Sequence, residues 1–185
     1  MNINTKEIDR KVDETEGRAR VLTGWQLQLV ALVAFIWSLF QLWYASPLPF
    51  IVGFGVLIDV PARAIHLGFA LFLTFLSFPF LKRDRRKKFG LINFCLAIVA
   101  FFCTFYLFYN YEALVYRNGV LLIQEINILG RQFNFPIELI IGIAGILFLL
   151  ESTRRAIGVP LVIVALIFLL YSIFGQNMPE MISHQ

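Results

Sequence analysis

Seven consecutive polar residues, Lys82-Arg83-Asp84-Arg85-Arg86-Lys87-Lys88, stand between two long apolar stretches, residues 64–81 and 89–109. Each stretch approaches the roughly 20 residues that an α-helix needs to cross a bilayer core. A small soluble domain has no room to hide two such runs beside a dense basic knot. A membrane does, and a basic connection between spans marks the cytoplasmic side.

Composition agrees. Apolar residues make up 59% of the chain and charged residues 15%, whereas soluble domains hold roughly 45–50% apolar residues. The net charge of +4 sits beside the apolar stretches, so it reads as topogenic, in contact with anionic lipid headgroups, and not as a nucleic-acid surface. Cys95 and Cys103 lie in one apolar stretch, eight residues apart. They cannot bridge along one helix and read as small lipid- or core-facing residues. No cysteine or histidine spacing suggests a metal, and no cofactor is expected.

The fold class expected is an all-α integral membrane protein, a bundle of about five transmembrane helices with four as the alternative. A polar leader, 1–24, precedes spans at 25–44, 64–81, 89–109, 137–153 and 156–174, and a polar tail covers 176–185. The leader is too long and too charged for a cleaved signal peptide, and the first span reads as an uncleaved anchor. Trp25 opens span one and Trp43 with Tyr44 closes it, as interfacial aromatic belts do. Pro47 and Pro49 stop the helix. Residues 50–58 are apolar but too short to cross, and read as a shallow outer segment, with a bent continuation of span one as the alternative. Ala64 and Gly68 form a small-residue pair that lets another helix approach span two. Residues 110–136 read as a partly ordered outer loop, with room for an interfacial helix, and Pro136 starts span four.

With the leader cytoplasmic and five crossings, thirteen of the Lys and Arg residues fall on the inner side, and only Arg63, Arg117 and Arg131 on the outer. That asymmetry places the N-terminus in the cytoplasm.

The middles of the spans hold little chemistry. Ser38, Thr74, Ser77, Asn93 and Thr104 are the main polar residues of spans one to three, and lone hydroxyls of this kind bond to backbone or to a neighbouring helix. No span is broken at its centre by Gly or Pro with flanking polar groups, as a transporter's substrate site would require. No catalytic triad, paired carboxylates or phosphate-cradling loop is present, so an enzyme is not expected. Three clusters stand out. Glu151, Arg154 and Arg155 are spaced to meet on one helical face, either as a helix-ending ion pair or as a latch on a partner or a lipid headgroup. Asp59, Arg63 and His66 could form an interfacial network, with pH sensing as the sharper alternative. Asn110 and Glu112, either side of Tyr111, read as a loop cap or an outer contact.

Four segments carry a family resemblance: His66-Leu67-Gly68-Phe69-Ala70; Tyr109-Asn110-Tyr111-Glu112-Ala113-Leu114; Leu150-Glu151-Ser152-Thr153-Arg154-Arg155-Ala156-Ile157-Gly158; and Phe168-Leu169-Leu170-Tyr171-Ser172-Ile173-Phe174-Gly175. In this order, from about residue 64 onward, the chain resembles the N-terminal, small-subunit-like part of a fused TRAP transporter permease of the TAXI type. These are tripartite ATP-independent periplasmic transporters. The last two spans are also similar to the opening helix pair of the large permease subunit. The resemblance implies a static scaffold beside a large elevator-type, sodium-coupled permease subunit, served by a periplasmic substrate-binding protein that delivers an organic acid. The family's elevator hairpins and ion sites are not among these residues, and no substrate ligand is carried over. The expected function is thus the small scaffold component of such an uptake system, with membrane lipids as further partners. A stand-alone membrane anchor or assembly protein is the alternative, and a small lipid-directed membrane enzyme a more distant one.

Overall fold

The computed structural model describes residues 19–80, 89–117, 120, 124–128 and 131–175, with backbone only for 124–128 and 131–135. The charged part of the leader, the basic knot with Leu81, and the tail lie outside the described residues.

Helix α1, Trp25–Ala45, starts after Gly24, whose positive φ turns the chain into the helix. It ends where Ser46 and Pro47 interrupt the amide ladder, and Ser46 Oγ bonds back to Trp43 O. A short helix α2, Leu48–Val52, follows, with proline in its first turn, where the missing donor costs nothing. Gly53 at φ 72° ends it, and 54–58 run as irregular chain.

Helix α3 is Asp59–Ser77. It begins five residues before the expected span and ends four residues before its expected end, at Ser77. The cause is the same residue type at both ends. Pro61 lies in the first turn, which tolerates it, and Pro79 forces the preceding Phe78 into extended geometry. Helix α4, Leu91–Tyr109, leads through Asn110 into a short helix α5, Tyr111–Tyr116. Beyond it, strands β1 (Gln124–Ile128) and β2 (Arg131–Phe135) pair antiparallel, with Gln124 opposite Phe135 and Ile128 opposite Arg131. The expected outer loop therefore contains a helix and a hairpin, the only departure from helix among the described elements.

Helix α6, Ile137–Ala156, carries the chain past Glu151, Arg154 and Arg155 without a break. The boundary expected after residue 153 falls instead at Ile157 and Gly158, where φ of 126° excludes most side chains. Helix α7, Val159–Phe174, is thus shorter than expected, with Pro160 in its first turn.

Three helices, α1, α3 and α4, are long and apolar enough to cross a membrane. Helix α6 is long enough but carries charges at both ends, and α7 is apolar but only 16 residues long. Helix α3 is the hub. It packs most extensively on α4 and also against α1 and α6, while α7 touches α6. The core is Leu71, Phe75, Leu76, Phe89, Ala97 and Ala100. At Gly68 α3 and α4 approach closely: a Cβ there would stand 2.7 Å from Thr104 Oγ1 and 3.2 Å from the Phe101 ring. The small pair Ala64 and Gly68 is buried, and α4 is the helix it admits.

Candidate functional site

The start of α1, the ends of α3 and α6 and the start of α4 meet at one end of the bundle, which also adjoins the basic knot in sequence. Each terminus brings polar backbone groups that need partners. Arg20 N–H, in the leader, donates to Ser77 O at 2.7 Å, so the last residues of the leader strap the end of α3. Gln26 bonds both ways to the Phe89 backbone: its amide donates to Phe89 O at 3.1 Å and its carbonyl accepts from Phe89 N–H at 3.3 Å. Trp25 packs edge-on against the Phe89 ring at 5.6 Å. These contacts fix α1 to the entry of α4.

The cluster expected from the spacing of Glu151, Arg154 and Arg155 is formed. Arg154 holds the carboxylate with two donors, Nε to Oε2 at 2.7 Å and Nη2 to Oε1 at 2.8 Å. Arg155 Nε reaches Oε1 at 2.7 Å. The two arginines differ in setting. The Arg155 side chain is only 3% exposed. Its guanidinium lies 4.7 Å above the Phe75 ring and donates to Asn93 Oδ1 at 3.1 Å. Arg154 sits at the rim, 4.6 Å above the Phe80 ring. A planar guanidinium can stack on rings and fork to a carboxylate at once, which a lysine cannot. Residues of α3, α4 and α6 converge here, so the cluster joins three helices. Two cations around one carboxylate leave a surplus positive charge at the rim.

At the opposite end the expected network of Asp59, Arg63 and His66 divides. Asp59 and Arg63 pair at 2.8 Å, both well exposed. His66 lies apart from them. Its Nδ1 is 2.9 Å from Gln41 Nε2 of α1, and its ring meets Trp37 edge-on at 4.9 Å. One helical turn beyond Arg63, the side chain has rotated toward α1 and away from the ion pair. Asn110 is a cap: its Nδ2 donates to Tyr106 O at 3.1 Å. Glu112 is exposed in the first turn of α5, beside a shallow pocket shared with Tyr109, Tyr111 and Ile58.

One polar site was not anticipated. Arg117 Nη2 binds Glu138 Oε1 at 2.6 Å, and the Glu138 side chain is 6% exposed. Tyr106 and Glu138 line the same cleft. The Arg117–Glu138 pair clasps the end of α5 to the first turn of α6, where a carboxylate also complements the helix dipole. Its partners are 21 residues apart, so no local spacing announces them.

Among the described residues no group of three or more His, Cys, Asp or Glu could hold a metal ion. The hydroxyls of the long helices bond to their own backbone, as Ser38 does to Ala34 O, Thr74 to Ala70 O and Thr104 to Phe101 O. No family model matches the chain, and neither a curated protein nor a solved structure is significantly similar to it.

Proposed function

We propose that the chain is a multi-pass membrane scaffold, the small-subunit-like component of a tripartite organic-acid uptake system of the TRAP type. In this proposal it spans the bacterial inner membrane five times, with α1, α3, α4, α6 and α7 as the crossings and the N-terminus in the cytoplasm. Its partners are a large elevator-type permease subunit and, through it, a periplasmic substrate-binding protein.

The observation that carries the proposal is the layering of polarity. Every Asp, Glu, Lys and Arg of the five long helices lies near a helix end, and the middles are apolar. A translocation path or a proton relay puts ionisable groups at membrane depth. A scaffold instead needs anchors at its two faces. The Arg155 cluster supplies one and the Arg117–Glu138 clasp the other. The broad exposed apolar faces of α1 and α7 suit contact with lipid or with another membrane subunit. The TRAP assignment itself rests on the four segments quoted above.

The test is co-purification from native membranes in mild detergent. A large multi-span subunit should accompany the chain in stoichiometric amount, and charge reversal at the rim residue, Arg154→Glu, should reduce its recovery. Recovery of the chain alone, under conditions that keep other membrane complexes whole, would overturn the scaffold role.

A further inference from the structure

At the end of the bundle away from the basic knot, a cleft of about 310 Å³ opens between the chain entering α3 and the junction of α4 with α5. Ile58 and Pro61 line it on one side, and Phe108, Tyr109, Tyr111 and Glu112 on the other. The volume reaches the lower end of the range for ligand sites, about 300–1,000 Å³.

Both walls are held in place. Gly55, at φ 70°, passes the Trp43 indole of α1 so closely that a Cβ there would stand 3.0 Å from Nε1. Ala62 N–H donates to Ile58 O at 3.2 Å, which begins α3. On the other wall, the backbone N–H and side-chain Nδ2 of Asn110 both donate to Tyr106 O, at 3.0 and 3.1 Å, and Asn110 O accepts from Leu114 N–H at 2.9 Å. These bonds end α4 and start α5 at one residue, so Tyr109 and Glu112 reach the same cleft from different helices.

The side chains described at this end carry one unmatched charge. Asp59 pairs with Arg63 at 2.8 Å, and Glu138 with Arg117 at 2.6 Å. Glu112 has neither an ion-pair nor a hydrogen-bond partner among the described residues. The Phe108 ring lies 5.7 Å from Phe105, whereas the Tyr109 and Tyr111 rings meet no other aromatic ring among the described residues. Two tyrosine rings and one carboxylate therefore line the cleft without partners of their own. That combination selects a cation by type. Calcium takes about six to eight oxygen ligands, which one carboxylate beside carbon walls does not supply. A quaternary or alkylated ammonium is drawn to aromatic rings and to a carboxylate alike.

We propose that this cleft binds an organic ammonium group, with Glu112 as its counter-charge and Tyr109 and Tyr111 as its aromatic contacts. The group arrives on a free amine or on the headgroup of a phospholipid in the adjoining leaflet. The site does not depend on the scaffold role, and neither reading falls with the other.

The test uses the full chain in a maltoside detergent, with fluorotyrosine in place of tyrosine and the Tyr109 and Tyr111 signals identified by their loss in Tyr109→Phe and Tyr111→Phe. Choline should shift both signals saturably and leave Tyr171 of α7 unmoved, and sodium at the same concentration should shift neither. Glu112→Gln should weaken choline binding at least about tenfold, equivalent to about 1.4 kcal/mol. The joint change Asp59→Asn with Arg63→Gln, which removes a matched pair beside the cleft, should leave it unchanged. Read on Tyr109, Tyr111→Leu should weaken binding and Tyr111→Phe should keep it; this pair serves if Glu112→Gln does not fold. The source is separated in nanodiscs. Phosphatidylcholine in place of phosphatidylglycerol abolishes the response to choline if a lipid headgroup fills the cleft, and preserves it if a free amine does. No saturable shift up to about 10 mM choline, equal affinity in a folded Glu112→Gln variant, or an equal shift with sodium overturns the proposal.

Discussion

Asn93 accepts a hydrogen bond from Arg155 across the α4–α6 interface, Oδ1 to Nη1 at 3.1 Å. Asn93 was visible in the sequence as a polar residue early in a span, with nothing to say what it faced. Its partner is a buried guanidinium already bonded to Glu151 and stacked on Phe75. Asn93 thus supplies the acceptor for a donor that the single carboxylate leaves over. It also ties α4 to α6 at the end of the bundle where Gln26 ties α1 to Phe89.

Removing either partner of this contact should destabilise the bundle, by unequal amounts. Asn93→Leu loses one interhelical hydrogen bond, worth about 1–2 kcal/mol between membrane helices. Arg155→Ala also removes the stacking on Phe75 and one of the two cations on Glu151, which Arg154 still holds, and should cost more than Asn93→Leu. Arg155→Lys should fall between them, because an ammonium cannot stack on Phe75 and fork to two acceptors. Thermal unfolding in detergent orders the three variants. Equal midpoints for Arg155→Ala and wild type would remove the cluster from the account of stability.

Gly68→Ala should be disruptive although it adds a single methyl group. The new carbon would sit 2.7 Å from Thr104 Oγ1 and 3.2 Å from the Phe101 ring, so α3 and α4 must separate or both side chains must move. Overpacking of this kind costs about 1–3 kcal/mol. Adding Thr104→Ala removes the nearer clash and should return part of the loss, a coupling that a double-mutant cycle measures. Additive effects would mean that the helices do not meet at this point.

Arg117 and Glu138 should show the reverse asymmetry, in which losing both is milder than losing one. Glu138→Gln removes the counter-charge of the Arg117 guanidinium, and Arg117→Leu removes that of a carboxylate whose side chain is 6% exposed. Each single change should lower the unfolding midpoint more than the double change Arg117→Leu with Glu138→Leu, since an apolar pair of similar volume carries no unmet charge. A double variant less stable than either single one would contradict this.

What the sequence revealed and what it hid divide along contact distance. The extents of α1 and α4 were legible because an apolar run and its flanking Trp, Tyr and Pro residues are local signals. The meeting of Glu151 with Arg154 and Arg155 was legible because three- and four-residue spacing is a helical neighbour relation. Asp59 and Arg63 followed the same rule, but it also suggested His66, which packing on Trp37 and Gln41 takes elsewhere. The early start of α3 was missed because the expected span opened only at residue 64, beyond Pro61, although a first-turn proline is compatible with helix. Glu138 with Arg117, and Gln26 with Phe89, are 21 and 63 residues apart. Only the packing of helices brings them together. The strand pair was missed although its residues alternate polar and apolar, Glu125-Ile126-Asn127-Ile128 and Gln132-Phe133-Asn134-Phe135 on either side of Leu129-Gly130, because runs this short stand out little beside spans of about 20 apolar residues.

Accessibility labelling decides the number of crossings, because α6 and α7 lie at the limits of what a membrane helix can be. Helix α6 carries four charges, yet all lie within its first two or last six residues, where side chains of this kind reach the interface. Helix α7 spans only 16 residues, about 24 Å at 1.5 Å per residue, so it matches a bilayer that thins locally or a crossing completed by flanking residues. In a background with Cys95 and Cys103 replaced by serine, single cysteines at Thr23, Ser46, Asn110 and Ile157 report on the leader and on the connections after α1, α4 and α6. With five crossings, an impermeant maleimide added to intact cells should label positions 46 and 110 and spare 23 and 157 until the membrane is opened. Labelling at 157 from outside would place Arg154 and Arg155 on the wrong face for the positive-inside asymmetry. It would reduce α6 and α7 to a re-entrant pair.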